Sequence, residues 1–300
     1  MTYTIMVGVE GDPDRRAALR WAAERAARDG ARLHLVYVIG HAWGDGTDEP
    51  GELLVGAAEA LLATERRMAE QHAAAWAEGR ARPGSGTGRT ALKTAAISVS
   101  TSYLYGHVGA ELEAASQDAD LLVVGTRSAL EREGSYTGSL PVRVAAGALC
   151  PVAVIPHGWE QSGRGVTVGV DGGPAGELAV AFAADEAARL EEPLTVACSG
   201  YLANPLLAGL VPETSLGDRR QEIVVAAAEL ARQLHPELQV VTSIVEAAPS
   251  RGLLTAAEGS RMLVVGTHNR HGMKRLMLGS VSHDILLNVH VPVVVVRKRA

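Results

Sequence analysis

A polar loop near the end of the chain has the residue types of an anion site. In residues 265–284, VGTHNRHGMKRLMLGSVSHD, an apolar run stops at Gly266, and Gly279-Ser280-Val281-Ser282 then leads into a predicted helix. Glycine lets the backbone approach a phosphate closely, and unpaired N–H groups at a helix start attract anions. The hydroxyls of Ser280 and Ser282 can donate to phosphate oxygens. The loop therefore predicts a phosphate site.

A second candidate lies in the turn Val170-Asp171-Gly172-Gly173, which also follows an apolar run. The Asp171 carboxylate can accept hydrogen bonds from ribose hydroxyls or a base amine. Taken singly, Gly-Ser is often only a helix cap and Asp-Gly a common turn. The chain has no GxxxxGK[ST], and no GxGxxG follows a strand, so the two turns predict a mononucleotide site of another kind.

The chain contains an internal repeat. Residues 5–38, IMVGVEGDPDRRAALRWAAERAARDGARLHLVYV, match residues 166–199, VTVGVDGGPAGELAVAFAADEAARLEEPLTVACS, at an offset of 161. Further on, DLLVVGTRS at 120–128 matches RMLVVGTHN at 261–269 at an offset of 141, and CPVAVIP has the later partner VPVVVVR. The candidate turns therefore occur in the same order in both copies, which favours a ligand site over unrelated turns.

The repeat sets the expected domain limits. The two offsets differ by 20, so the first copy is 20 residues longer, in a part between about 39 and 100. Residues 158–165 are polar and glycine-rich without apolar periodicity, as in a linker. We expect a first domain at 1–157, this linker, and a second domain at 166–300.

Strands and helices are predicted to alternate within each copy. The valine-rich runs contain no alternating polar residues, which is typical of strands buried in a parallel sheet. Residues 13–29, 51–79 and 174–190 are predicted as helices that cover it. We expect an α/β protein with two tandem, doubly wound, open parallel sheets, each flanked by helices. Ligands of such sheets bind beyond the carboxyl ends of the strands, where both candidate turns lie.

The composition argues against several classes of protein. The apolar fraction of 47% supports a packed core, and the net charge of −6 argues against a protein whose main task is to bind nucleic acid. No apolar stretch reaches about 18 residues and the start has no signal-peptide pattern, so we expect a cytoplasmic protein without a membrane segment. Cys150 and Cys198 lie in apolar runs and are interpreted as buried thiols.

Neither a metal site nor a catalytic centre is predicted. His268 and His271 are three residues apart in the loop, but no third ligand lies nearby in sequence. Ser280 lacks a nucleophile motif and an adjacent acid–base set. Asp284, the carboxylate beside the phosphate loop, falls inside the predicted helix and is interpreted as surface charge.

These motifs resemble the universal stress protein family. The spacing Gly-x2-Gly-x9-Gly-Ser, between a DLLVVG strand and a final PVVVV strand, is similar to the family's ATP-binding signature, and VGVDG to its other hallmark. The resemblance covers nearly the whole chain and occurs twice, so the chain resembles a tandem member with two family domains. It implies a Rossmann-like fold of the adenine nucleotide alpha hydrolase type.

In the second copy, the resemblance places the ribose- or adenine-binding carboxylate at Asp171 and a backbone contact to adenine at Ser199. Asn269 stands where the family has its middle glycine, and because asparagine tolerates left-handed backbone conformations, the turn can persist. The complete set of expected binding residues in this copy is Asp171, Gly172, Ser199, Gly266, Asn269, Gly279, Ser280, Val281 and Ser282.

The first copy departs further from the pattern. Glu10 is one methylene longer than aspartate, and Pro141 removes both the second hydroxyl and a backbone N–H. Two glutamates in its loop oppose phosphate, whereas the second copy has Arg270, Lys274 and Arg275. We expect the second site to bind nucleotide and the first to be weak or empty. The corresponding residues of the first copy are Glu10, Val38, Gly125, Ser128, Gly138 and Ser139.

The resemblance implies a stress-response regulator that binds ATP, with or without Mg²⁺, rather than an enzyme, and a regulatory protein partner. It also implies pairing of residues 151–155 with 292–297 as an internal pseudo-dimer, and a homodimer of tandem chains. A slow ATP hydrolase or nucleotidyl-transfer enzyme and a nucleotide-free interaction scaffold stay open as alternatives. The sequence does not distinguish ATP from cyclic AMP.

Overall fold

Short runs of valine, leucine and isoleucine form the strands of two parallel sheets. A computed structural model describes residues 2–40, 51–80, 97–126, 139–200, 213–267 and 278–297. The chain divides into two units, residues 1–159 and 160–300, which are described separately below. The division falls inside the expected linker at 158–165, and the domain limits given above stay a prediction.

The first unit contains a five-stranded sheet with the strand order β3-β2-β1-β4-β5, and all its described strand pairs are parallel. Its strands are β1 (Thr4–Gly8), β2 (Arg32–Gly40), β3 (Val99–Gly106), β4 (Leu121–Gly125) and β5 (Val152–Ile155). Its helices are α1 (Ala17–Asp29), α2 (Glu52–Arg80), α3 (Val108–Ala115) and α4 (Ser139–Gly147), with single 3-10 turns at Pro13–Arg15 and Ser116–Asp118.

The second unit repeats this topology, with the order β10-β9-β6-β7-β8 and parallel pairing throughout. Its strands are β6 (Val166–Gly169), β7 (Leu194–Ser199), β8 (Val240–Val245), β9 (Met262–Gly266) and β10 (Val293–Val296). Its helices are α5 (Pro174–Leu190), α6 (Glu213–Leu234), α7 (Pro249–Ala256) and α8 (Ser280–Leu287).

The strand order makes each sheet doubly wound, which confirms the predicted fold class. The chain runs outward from β1 through β2 to β3, then crosses back to β4 on the other side of β1. Since right-handed crossovers in opposite directions place their helices on opposite faces, the helices form two layers around the sheet. The order reverses between β1 and β4, and between β6 and β9, so each unit has one crevice at that point.

The helices agree with the predicted positions, with one difference at the start of the first. Residues 174–190 form α5 as expected, and α2 lies one residue beyond the expected 51–79. The expected helix 13–29 instead begins with a 3-10 turn at Pro13–Arg15, and α1 starts at Ala17. The Asp12 side chain accepts a hydrogen bond from the Asp14 N–H at 3.0 Å, which caps that separate turn.

The core consists of strand residues and small helical residues. Leu33, Leu121 and Val264 are fully buried in the strands, and Ala22 and Ala26 are fully buried on α1. Alanine at these positions lets a helix lie close to the sheet, so the core is filled mainly by the β-branched and leucine side chains of the strands.

An ion pair joins three strand starts at the amino edge of the second sheet. The Glu192 carboxylate, before β7, accepts from the Arg261 guanidinium, before β9, at 2.7 Å and from the Gly165 N–H, before β6, at 2.6 Å. Burial opposes ionisation of Glu192, but the Arg261 and Gly165 hydrogen bonds and the nearby charges of Arg261 and Arg164 prevail, so its pKa is lowered.

We expect Glu192→Gln to lower the free energy of unfolding by roughly 1–3 kcal/mol at pH 7, because it removes a charge-assisted hydrogen bond between strands. The contribution of Glu192 is present above its unfolded pKa of about 4.3 and is lost as the pH falls through the lower folded pKa. Thermal unfolding from pH 3 to 7 measures this, with the exposed Glu237→Gln as control. An equal loss of stability at pH 3 and pH 7 would contradict it.

The last residue of β9 lies unusually close to helix α5. A Cβ atom on Gly266 would stand 2.2 Å from the Ala175 carbonyl oxygen, a backbone atom that cannot turn aside. At the matching position in the first copy, the Ala18 Cβ atom, at 3.6 Å, is the one described atom that a Cβ on Gly125 would meet. Glycine is therefore a steric requirement of the fold at Gly266 and not at Gly125.

Gly266→Ala should lower the melting temperature of the protein, because the backbone of α5 or β9 must shift to admit the methyl group, at a cost of about 1–3 kcal/mol. Gly125→Ala is the matched control and should change the melting temperature little, since its methyl group makes an ordinary contact. Differential scanning calorimetry compares the two variants, and equal melting temperatures would refute this assignment.

Candidate functional site

Three segments predicted to bind a nucleotide lie at one edge of the second sheet. Gly169 of β6 is in register with Val265 of β9, so the Asp171 turn and Gly266 leave the sheet side by side. The start of α8 is tied to the same place, because the Ser282 hydroxyl donates to the Gly266 carbonyl oxygen at 3.2 Å. The structure therefore brings the Asp171 turn, the end of β9 and the start of α8 together at the switch point.

The Asp171 turn is stabilised by its own side chain. The Asp171 carboxylate accepts from the Gly173 N–H at 2.9 Å, and Gly172 has a φ of +79°, a conformation that favours glycine. A Cβ on Gly172 would stand 3.0 Å from the Ile223 side chain of α6. The exposed Asp171 carboxylate is thus held at the mouth of the crevice, at the start of α5.

The start of α8 has the geometry of an anion site. Gly279 is the N-cap, with φ −59° and ψ 148°, and no side chain of the described residues caps the helix. Apart from its chain neighbours, no heavy atom of the described residues lies within 4 Å of a Cβ built on Gly279, so these residues leave the first N–H groups accessible. Ser280 is exposed there and Val281 is half-buried.

Ser282 differs in role from the expected phosphate donor. It is 3% exposed, and its hydroxyl donates a hydrogen bond to the Gly266 carbonyl oxygen. A hydroxyl has one proton to donate, so Ser282 acts here as a link between α8 and β9. Ser280 remains the accessible hydroxyl of the pair.

The expected adenine contact at Ser199 lies at the end of β7. Its hydroxyl donates to the Ala247 carbonyl oxygen at 3.0 Å, which connects β7 to the segment between β8 and α7. Val38, its counterpart in the first unit, is 8% exposed near the end of β2. The Ser199 side chain thus positions the backbone at this edge.

Arg220 on α6 is a nearby residue that the sequence reasoning did not identify. Its guanidinium donates to the Gly200 carbonyl oxygen at 2.5 Å and lies 3.7 Å from the Glu246 carboxylate. Burial raises the pKa of the Cys198 thiol, while the Arg220 charge opposes and the Asp171 charge adds to this rise. Arg220 therefore places positive charge beside the Asp171 edge. Its contact follows from the tertiary packing of α6, and no local motif signals it.

Several predicted residues lie outside the described part of the chain. They are Ser128, Gly138, His268, Asn269, Arg270, His271, Lys274 and Arg275, and the side chain of Ser139 belongs with them. Among the residues that the structure describes, no group of three or more His, Cys, Asp or Glu side chains could hold a metal ion. The described helices include none with the length and apolar character of a membrane span.

The matching crevice of the first unit is filled by its own side chains. The Arg15 guanidinium contacts the Glu10 carboxylate at 2.5 Å and the Asp12 carboxylate at 3.2 Å. The remaining cavity, between the ends of β1 and β4, has a volume of about 20 Å³ and is also lined by Gly125 and Thr126. That is room for about one water molecule.

A second ion-paired arginine lines this crevice. The Arg16 guanidinium donates to both oxygens of Glu65, at 2.7–3.1 Å, and Glu65 on α2 is only 2% exposed. The hydrogen bonds that Arg16 donates to Glu65 raise the pKa of Arg16, against the effect of burial. The pair joins α2 to the start of α1.

Comparison with known proteins agrees with this architecture. A universal stress protein of Mycolicibacterium smegmatis (strain ATCC 700084 / mc(2)155) is 29% identical over 308 residues, covering 99% of this chain and 98% of the relative. A universal stress protein of Mycobacterium tuberculosis (strain ATCC 25618 / H37Rv) is 28% identical over 317 residues, covering 99% and 97%.

The fold is also found among solved structures. The crystal structure of a universal stress protein from Archaeoglobus fulgidus DSM 4304 superposes with a TM-score of 0.66 at 14% identity, covering 99% of this chain and 96% of that one. At that identity the likeness supports the fold alone. The sequence model of the universal stress protein family matches residues 1–156 and 164–297, which confirms the predicted resemblance. Two consecutive matches thus span nearly the whole chain, and the protein belongs to the universal stress protein family.

Proposed function

We propose that this protein is a stress-response regulator that binds one ATP per chain, in the crevice of its second unit, without turning it over. The observation that carries the proposal is the meeting of Asp171, Gly266 and the uncapped start of α8 at one switch point. A carboxylate suits the ribose or base, and free helix N–H groups suit the phosphates.

The first unit supports one site per chain rather than two. Its crevice holds an ion-paired arginine and a cavity of only about 20 Å³. Pro141 is buried in the first turn of α4, where it can neither donate a hydroxyl proton nor supply a backbone N–H. A nucleotide entering this unit would have to break the Glu10–Arg15 ion pair.

Ligand binding at the second crevice would act on the elements around it. The Ser282–Gly266 hydrogen bond joins α8 to β9, and Gly266 lies against the start of α5. A phosphate at α8 therefore stabilises the arrangement of three elements, and binding to the native state alone raises the melting temperature. The homodimer and the pairing of 151–155 with 292–297 stay predictions, and sedimentation with and without ATP tests the dimer.

The first test is the stoichiometry of ATP binding. We expect about one ATP per chain by titration calorimetry, and Asp171→Ala should weaken binding roughly 10- to 100-fold because it removes a charged acceptor. Asp171→Asn keeps an acceptor for the Gly173 N–H and separates loss of charge from loss of the turn. Titrations with and without EDTA show whether Mg²⁺ contributes.

The matched control is Asp185→Ala, which removes an exposed carboxylate of α5 that pairs with His235. Its affinity for ATP should equal that of the parent. Two ATP per chain would contradict the single-site proposal, and no binding heat together with no nucleotide in the denatured protein would favour the interaction scaffold. Tighter binding of cyclic AMP than of ATP would reassign the ligand.

A graded substitution at Gly279 tests the phosphate position. Gly279→Ala and Gly279→Val should both fold, with a modestly and similarly lowered melting temperature because alanine and valine are poorer N-caps than glycine. The position has an ordinary φ, and the described residues leave space around its Cβ. The larger side chain should obstruct the helix N–H groups, so we expect ATP binding to weaken progressively, by about tenfold or more for valine. Unchanged affinity in the valine variant would place the phosphates elsewhere.

A further inference from the structure

We propose that Arg15 is the residue that closes the crevice of the first unit, and that Gly176, its counterpart in the repeat, keeps the second crevice open. The inference rests on the proposed function only for its nucleotide readout, since the closure itself is a property of the unliganded chain. It assigns a specificity-determining role to one helix-start position in each copy.

Two carboxylates hold the Arg15 guanidinium in place. It ends the 3-10 turn Pro13–Arg15, and its guanidinium contacts both Glu10 and Asp12. The Arg15 side chain is 22% exposed and lines the cavity between the ends of β1 and β4. Two carboxylates at one guanidinium favour a fixed orientation over a free surface side chain.

Helix α2 packs against the turn that precedes Arg15. The turn at Gly11 has a φ of +78°, and a Cβ there would stand 2.4 Å from Leu61 of α2. Helix α2 thus covers the turn that carries Glu10 and Asp12, and the Arg16–Glu65 pair holds it there. The carboxylates that bind Arg15 therefore lie on a turn whose position is fixed by contacts with α2.

In the second copy, a glycine occupies the position of Arg15. At the offset of 161 residues, Glu10 matches Asp171 and Arg15 matches Gly176. A Cβ on Gly176 would stand 3.4 Å from the Asp171 carboxylate oxygen, an ordinary contact. A side chain at position 176 would thus begin beside Asp171, just as Arg15 lies against Glu10, and an arginine there would pair with the carboxylate that the nucleotide needs.

A ligand-independent experiment tests the closure. Gly125 lines the crevice, and the described residues leave room there for a side chain, so Gly125→Cys places a thiol in it, while Cys150 and Cys198 are buried. Labelling with a water-soluble maleimide should be slow in this variant and about tenfold faster when Arg15→Ala is added. Arg28→Ala, which removes an arginine paired with Asp29 at the far end of α1, should leave the rate unchanged. Equal rates with and without Arg15 would overturn the closure.

A second experiment tests the consequence for ATP. Gly176→Arg should weaken ATP binding by at least about tenfold, whereas Gly176→Ala, with a side chain too short to reach across the crevice, should retain it. ATP affinity of Gly176→Arg equal to that of the parent would overturn the role of position 176. If the parent protein binds no ATP but Arg15→Ala still accelerates labelling, the proposed function fails while the closure by Arg15 stands.

Discussion

The close approach of β9 to the start of α5 is the constraint on which the second crevice depends. Gly266 leaves no room for a side chain beside the Ala175 carbonyl, and its own carbonyl is held by Ser282 of α8. Two helix starts and one strand end therefore meet at Gly266. In a doubly wound parallel sheet, ligands bind at the carboxyl edge where the strand order reverses. The contact between β9, α5 and α8 lies at that point of the second sheet.

The two copies share a carboxylate at the amino edge of the sheet, supplied by different residues, but differ at the carboxyl edge. In the first unit the Thr4 N–H, just at the start of β1, donates to the Asp120 carboxylate at 2.9 Å. The equivalent Gly165 N–H in the second unit donates to Glu192, and Arg261 stands where Asp120 would be. The amino edge of each sheet thus keeps a carboxylate for the same backbone donor, taken from a different strand. The carboxyl edge diverges instead, with an ion-paired arginine in one copy and glycine in the other.

Much of the fold could be predicted from the sequence because its signals are local. Uninterrupted valine-rich runs and the repeat predicted parallel strands, and the turn after each run predicted which residues, such as Asp171 and Gly266, share an edge. The role of Ser282 could not be predicted, because the direction of a hydroxyl depends on the position of another strand's carbonyl. Arg15 and Arg220 were missed for a similar reason, since their partners are chosen by tertiary packing around a turn or a helix and not by a motif.

The occupied crevice of the first unit has a consequence for how the chain would respond to its ligand. A tandem protein with two equal, interacting crevices can respond steeply, because filling one changes the other. If the guanidinium between Glu10 and Asp12 keeps nucleotide out of the first unit, as proposed, each chain has one crevice to fill. Where chains bind independently, occupancy then follows a simple hyperbola, spread over roughly a hundredfold range of concentration. The fraction of such chains with bound ligand therefore changes gradually with ligand concentration, without a steep threshold.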